Sequence, residues 1–412
     1  MQLSQDDILS RMADTETYLS VLTSSSDAGW TPIVAWNPVD IYTVSTETIN
    51  PNTAIENFVK LQQKSKRLII GYLSYDLGST LHNVTLSTDD DLSTPIAFII
   101  SYDNWMTFEH NNATLHSTNT FFAGEVKTIM ARTPRATPTH LYRKELSPSW
   151  SRKSYNEAYA RIIGYITAGD IYQVNLTHRL EGTSDERGLD IYRSISSRSH
   201  ADFQSYITGS DFEVISASPE RFVSIKNGII KTMPVKGTRP RGKNAHIDEE
   251  IRADLLTSTK DMAELDMITD LLRNDLGVVS EIGSVDVVHR RVLTSYPTLW
   301  HAHSEIQSRL RPEVSPIGAL LSLMPGGSIT GCPKKRAMEI VDELEDKRRG
   351  IYTGSIFTIG PDGNLDSNIA IRTMIKKSKK LYLSVGGGII YDSKQSDEYE
   401  ESLQKAAAFA NR

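Results

Sequence analysis

Residues 380–410 read KLYLSVGGGIIYDSKQSDEYEESLQKAAAFA: a strand-like run, three glycines and a helix-like run in succession. KLYLSV (380–385) reads as a strand, and Gly386, Gly387 and Gly388 follow it. Consecutive glycines let backbone N–H groups approach an anion closely, and equally suit a strand bulge or tight turn. Ser396 is placed to cap a helix through DEYEESLQKAAAFA. Tyr399, Leu403, Ala406 and Ala410 form its apolar stripe at spacings of four, three and four. Glu398, Glu401 and Lys405 lie beside that stripe. On this helix alone, a solvated charged face with acids near the positive helix N-terminus is the simpler reading.

A second pair of carboxylates shifts the balance. KDMAELDMITDLLRNDLG (260–277) reads as a helix ending near Gly277, with Asp261 and Glu264 on one face at i,i+3. Two helices, each with an i,i+3 acid pair, could supply an all-oxygen site for a hard divalent cation. Mg2+ binds through few carboxylates, keeps waters and takes substrate oxygens. The pattern alone does not bring the two helices together.

Two further stretches carry chemistry-bearing residues. MPGGSITGCPKK (324–335) has the G-x-x-x-x-G spacing of a phosphate loop at Gly326 and Gly331, but Cys332-Pro333 stands where Lys-Ser/Thr is needed. SPERF (218–222) and MPVKGTRPRG (233–242) flank a hairpin, VSIKNGIIKT, with Asn227-Gly228 as its turn. The hairpin brings the carboxyl of Glu220 back toward the amine of Lys236. Arg239 and Arg241, if close in space, would favour a neutral, nucleophilic Lys236. A basic surface loop is the plainer alternative.

The rest of the chain sets the frame. TPIVAW (31–36), RLIIGYLSYDL (67–77) and PIAFIISYD (95–103) read as strands of a mostly antiparallel sheet over residues 1–130. Residues 131–150 are proline-bearing and lack periodicity, which suits a linker or a long surface loop. From 151 to 412 longer helices alternate with strands. Tyr155, Tyr159, Ile162, Ile163 and Ile166 repeat at helical spacing, with Ser154 as cap and Gly169 as stop. YQVNLT (172–177) alternates, with Gln173, Asn175 and Thr177 on a polar face that is either solvent or a site.

Length and charge narrow the class. The 412 residues allow two or three domains, or one large unit with an appendage. A net charge of −6 argues against a dedicated nucleic-acid partner. One cysteine, Cys332, excludes an internal disulfide framework and a cysteine-cluster metal site. No apolar run approaches the ~18 residues of a membrane span. The polar start, MQLSQDDILSRMADTE, is unlike a signal or transit peptide, so a reducing cytoplasm is expected.

In order along the chain, GDIYQVNL, SPERF, PVKGTRPRG, KDMAELDMITDLLRNDLG, PGGSITGCPKKRAMEIVDELE, IYTGSIFTIGPDGNLDSNIAIRT, VGGGIIYDS and DEYEESLQKA resemble the motifs of the chorismate-utilising enzymes. That family includes anthranilate, aminodeoxychorismate, isochorismate and salicylate synthases. The resemblance is strong over about 155–410. Residues 1–130 look like the family's variable amino-terminal region, with GYLSYDL the clearest match.

The resemblance implies an α+β fold in which two large, mostly antiparallel sheets pack face to face with helices outside. It implies Mg2+ held directly by Glu264 and Glu401, with Asp261 and Glu398 acting through waters. It places Arg372, Tyr352 and the backbone at Gly386 and Gly387 on the enolpyruvyl carboxylate of chorismate, Lys405 near the metal, and His301 and Ser328 in the pocket wall. Glu220 matches the general acid for the departing 4-hydroxyl. Gln173 stands where water-using members carry a lysine base, and an amide cannot deprotonate water. Lys236 in PVKGT resembles the nucleophilic lysine of the aminodeoxychorismate synthase branch, where anthranilate synthases carry alanine. The implied reaction forms 4-amino-4-deoxychorismate from chorismate and ammonia through a covalent Lys236 adduct, on the route to 4-aminobenzoate and folate. A separate glutamine amidotransferase subunit is implied as ammonia source, since Cys332 lies outside any glutaminase-like setting, and no fused lyase is expected after residue 412. The rivals are another member of the family, or a silent binding subunit. Cys332, Leu265 and the His301-Ala302-His303-Ser304 run depart from the family's usual residues, which affects pocket shape rather than any assigned group.

Overall fold

The computed structural model describes residues 2–13, 18–26, 28–109, 111–117, 121–136, 146–295, 299–406 and 409. Two large sheets dominate it, one of 11 strands and one of 10, and their strands pair antiparallel. The expected α+β architecture is therefore present.

The apolar run at 67–77 shows how the layers form. It becomes strand Leu68–Leu73, inside the 10-strand sheet between Ser355–Ile359 and Ala97–Tyr102. A strand's side chains alternate between faces. Leu68, Ile70 and Tyr72 therefore join Phe98, Ile100 and Ile356 in a core shared with Leu22, Ile33, Phe203, Ile207 and Val214 of the other sheet. Ile69 and Leu73 point the other way, against helix Pro51–Lys64 (Ile55, Val59) and helix Pro316–Leu323 (Ile317, Leu320). The second sheet does the same: Val21, Val34 and Ile215 turn to an outer core with helices Phe122–Met130 and Gly188–Ser196. Both faces of each sheet are thus buried. Burying each large apolar side chain contributes about 1.5–3 kcal/mol.

Strands from both halves of the sequence interleave. Ser20–Thr23 pairs with Phe203–Thr208, and Leu68–Leu73 with Ser355–Ile359. Of the stretch 131–150, residues 137–145 lie outside the described residues. Its far end is anchored: Leu146 and Trp150 are buried, and Trp150 Nε1 donates to Asp346 Oδ1 at 2.8 Å.

Local signals held in part. Helix Arg152–Ala168 stops at Gly169, which takes φ 83°. Its cap is Ser151, whose side chain accepts from Ser154 N, so the start lies three residues before the expected one. The hairpin turns at Asn227 and Gly228, both with positive φ, and pairs Lys226 with Ile229. The cap position of helix Gln395–Gln404 is Lys394 rather than Ser396; the Ser396 hydroxyl turns to Asp397 instead. Ala410 of its stripe lies outside the described residues. Among the described residues no helix is long and apolar enough to cross a membrane.

Candidate active site

A cavity of about 160 Å3 opens where the chain crosses between the sheets. Glu220 sits at one crossing, between strand Glu213–Ser218 of the larger sheet and strand Arg221–Lys226 of the smaller. Arg372 sits at another, between Leu365–Asn368 and Thr373–Lys377. Both backbones are pinned: Ile369 N donates to Glu220 O at 3.0 Å, and Ala217 N to Arg372 O at 2.9 Å. Arg372 takes φ 49°, a left-handed conformation that a long side chain adopts only when its surroundings impose it.

Lys236 reaches the cavity through a bulge. Strand Val235–Pro240 pairs with Leu299–Arg309, but Val235 faces His303 and Thr238 faces His301, so the first strand holds one residue more. Such bulges turn a side chain out of the regular alternation. Gly237, at φ 85°, permits this one; a Cβ there would lie 2.8 Å from Leu255 Cδ1. The Lys236 ammonium stands 3.8 Å from Glu264 Oε2. Arg239 and Arg241 do not serve as its cationic neighbours. Arg239 pairs with Asp254 and Asp261, and Arg241 with Asp248 while lying over Trp300.

Glu220 is half-buried beside Lys236. Ser328 Oγ, on the short turn Gly327–Ile329, donates to Glu220 Oε1 at 3.2 Å. Desolvation raises the Glu220 pKa above the usual carboxyl value, against the opposing pull of Lys236, the Ser328 hydrogen bond and Lys405. A carboxyl held protonated to higher pH is suited to give up a proton in a reaction.

The opposite wall is strand Lys380–Ile389. The three glycines are not a loop: Gly386, Gly387 and Gly388 pair with Thr177, Leu176 and Asn175 of strand Gln173–Thr183. Close approach is the reason for glycine. A Cβ on Gly386 would lie 2.3 Å from Leu176 O, and one on Gly388 2.7 Å from Gln173 Nε2. Pairing with Thr373–Lys377 ends at Leu383↔Met374, and Ser384, Gly386 and Gly388 beyond it line the cavity. Gly387 makes room for the last helix, with Glu398 Oε2 3.2 Å and Lys405 Nζ 3.6 Å from where its Cβ would be. Lys405 Nζ donates to Gly386 O at 3.0 Å and pairs with Glu401 Oε1 at 2.9 Å. Ser393 Oγ holds Glu398 Oε1 at 2.8 Å.

Tyr352 is buried in the cavity wall, its phenol pushed up to about 12 by desolvation despite nearby Arg349. Arg372 is open to the cavity; the protein around it desolvates the guanidinium and lowers its pKa. His301 lies outside the lining, bonded through Nδ1 to Thr238 Oγ1 at 3.3 Å. Burial, then Arg372, lower its pKa to about 4, so the ring is neutral at pH 7. Gln173 is also outside the lining, fully buried behind Gly388 with Nε2 unbonded.

None of the four acids is among the lining residues; they divide between two helices beside the cavity. Asp261 and Glu264 lie on helix Thr259–Gly277 on the Lys236 side, and Glu398 and Glu401 lie on helix Gln395–Gln404 on the Lys405 side. Among the described residues no three His, Cys, Asp or Glu groups stand together as a metal site. The donors themselves are all carboxylate oxygens, the chemistry that Mg2+ takes.

A family profile described as chorismate binding enzyme matches residues 19–411. The chain belongs to the chorismate-binding enzymes. It is 37% identical over 340 residues to aminodeoxychorismate synthase component 1 of Klebsiella aerogenes, covering 82% of this chain and 75% of that one. It is 34% identical over 363 residues to anthranilate synthase component 1 of Acetivibrio thermocellus, covering 82% and 73%. The crystal structure of anthranilate synthase component I from Streptococcus pneumoniae superposes with a TM-score of 0.80 at 27% identity, over 98% of this chain and 96% of that one.

For a chorismate-binding enzyme the cavity includes residues that the sequence did not single out. Val235, Ile329, Ile371, Ser384 and Val385 all line it. The alternation of YQVNLT was the signal for Asn175: Gln173, Asn175 and Thr177 are all buried away from solvent, and of the three Asn175 lines the cavity. Tyr172 departs from the alternation and is exposed.

Proposed function

We propose that this chorismate-binding enzyme is the synthase component that converts chorismate and ammonia to 4-amino-4-deoxychorismate. The observation that carries the reading is the meeting of Lys236 and Glu220 in one cavity, with the Arg372 guanidinium in the same lining. An amine, a carboxyl with a raised pKa and an anion-binding group are the set this substitution needs.

The steps balance as follows. The neutral Lys236 amine attacks ring carbon C2; the ring double bonds shift; the C4–O bond breaks, and Glu220 gives its proton so that water leaves. Ammonia then attacks C4, the double bonds shift back, and the C2–N bond to Lys236 breaks. Glu220 regains its proton from the incoming nitrogen. The sum is chorismate plus ammonia giving aminodeoxychorismate plus water. Lys236 must shed a proton to solvent before it attacks. Two displacements replace one difficult substitution.

Arg372 and Tyr352 would hold the enolpyruvyl carboxylate. Glu264 and Glu401 would hold Mg2+, with Asp261 and Glu398 through waters; the ion would supply fixed positive charge for the ring carboxylate. Glu401→Gln is expected to raise the Mg2+ concentration for half-maximal activity about tenfold or more, and an unchanged titration would count against this ligand. Burial raises the Cys332 thiol, which disfavours a thiolate nucleophile. Ammonia would therefore come from a partner glutaminase, in the cytoplasm.

Chromatography of the product from chorismate, Mg2+ and ammonia tests the assignment. Aminodeoxychorismate is expected. Anthranilate, isochorismate or salicylate as main product would overturn it.

A further inference from the structure

Behind the cavity lies an ion pair that is not itself among the lining residues. Glu345 and Arg349 are buried, with side chains 4% and 1% exposed. Arg349 Nε and Nη2 donate to Glu345 Oε2 and Oε1 at 2.9 and 2.7 Å. The remaining donors reach out of the pair. Nη1 donates to Ile329 O at 2.9 Å, on the turn that carries Ser328, and Nη2 donates to Asn175 O, on the facing strand. Glu345 Oε1 accepts from Thr177 N at 2.9 Å, two residues along that strand and opposite Gly386. The guanidinium carbon stands 4.6 Å over the Tyr75 ring, which closes its other side.

We infer that the Glu345–Arg349 pair is a positioning unit for the proton-donating side of the reaction. One planar guanidinium ties two backbone segments, and each segment presents a cavity group: Ser328, which holds Glu220, and Asn175. Arginine suits this because its donors form a rigid fork, whereas lysine offers a single point. A hydrophobic pair of the same volume would fill the space equally well and often stabilises a protein as much as a buried ion pair does. It would leave the carbonyls of Ile329 and Asn175 without their shared donor, and the Ser328 turn free to shift against Glu220. The inference deepens the proposed function: it rests on this cavity being where chorismate reacts, and not on which product forms.

The test uses the whole chain with two variants, Glu345→Gln/Arg349→Met and Arg349→Lys. Each is checked for native circular dichroism and then assayed for chorismate consumption with ammonia and Mg2+, with the wild-type product identified first. The expected result is a kcat at least tenfold lower, with the chorismate KM changed less than threefold. Ser328→Ala should cost markedly less in the Arg349→Lys background than in wild type, because the two changes act on one contact. Because the Ser328 contact bears on Glu220, the fall in kcat expected as pH rises through the raised Glu220 pKa should also move. A folded variant whose kcat stays within twofold of wild type, or whose effect simply multiplies with that of Ser328→Ala, overturns the inference. If the double variant does not fold, Arg349→Lys decides alone. If wild type makes anthranilate, the product assignment falls while the same kcat comparison still judges the positioning role. If wild type consumes no chorismate, the proposed function and the inference fall together.

Discussion

Two lysines face the same cavity and are held quite differently. Lys405 ends the last helix and is committed twice, to Gly386 O at 3.0 Å and to Glu401 at 2.9 Å. Lys236 sits on a bulged strand, and its ammonium has a carboxylate only at 3.8 Å, beyond hydrogen-bonding distance. An amine whose protons are spent on fixed acceptors is a structural cation. An amine without such bonds can lose a proton and turn its lone pair on a carbon. The difference favours Lys236 over Lys405 as the nucleophile of the proposed reaction.

The sharpest way to break this comparison is to remove each amine in turn. Lys236→Ala is expected to lower aminodeoxychorismate formation by more than about 10^3-fold, the scale of losing a nucleophile that acts within a unit. Chorismate binding, measured by calorimetry, should stay within about threefold. Wild-type amination by this variant would end the covalent route.

Glu220 feels both lysines, so it reports on the comparison from a third position. Glu220→Gln keeps the acceptor for Ser328 but has no acidic proton, and should lower kcat by about 10^2–10^4-fold. The sign of the pH effect follows from the raised pKa. The wild-type acid stays protonated to higher pH than an ordinary glutamate, and kcat falls as pH rises through that raised value. The fall should vanish in the variant; a pH profile identical to wild type would remove Glu220 as the acid.

Lys405→Met should do less. The chorismate KM is expected to rise about tenfold through loss of a fixed positive charge, with kcat lowered only a fewfold. Because Lys405 opposes the burial that raises Glu220, removing it should push the Glu220 limb to still higher pH. A loss as deep as that of Lys236→Ala would erase the distinction between the two amines.

Some of this was readable along the chain because its causes are local. Two i,i+3 acid pairs, a glycine stop at Gly169 and an Asn227-Gly228 turn each depend on a few neighbouring residues. The runs at 68–73 and 97–102 showed strands, but not that each splits its side chains between two cores, since both faces are apolar. The bulge at Lys236 depends on the register against a strand some 65 residues on, and no local pattern announces it. Arg239 and Arg241 read as cations for Lys236 until the two acidic helices beside them claimed both. The motif resemblance brought Gln173 and His301 to the site, but the structure sets them behind Gly388 and Thr238. Glu345 and Arg349 carry no chemistry of their own, so only their contacts reveal them.

The smallest expected effect concerns a buried acid with no lysine to answer it. Asp76 is 7% exposed, and its Oδ2 accepts from Gly350 N at 3.1 Å. Burial pushes its pKa up to about 7, with Arg348 opposing and Asp90 adding to the rise. The folded chain therefore keeps a proton that the unfolded chain releases between about pH 4 and pH 7. Stability contributed by this group is present below that window and is lost as pH rises through it. Asp76→Asn keeps an acceptor for Gly350 N and cannot ionise. Its Tm should exceed wild type by a few degrees at pH 8 and match it near pH 4. An equal difference at both pH values would mean that packing, and not ionisation, sets the effect. Glu220, flanked by Lys236 and Lys405, should show a weaker version of the same stability trend, because two nearby ammonium groups offset what burial costs its carboxylate.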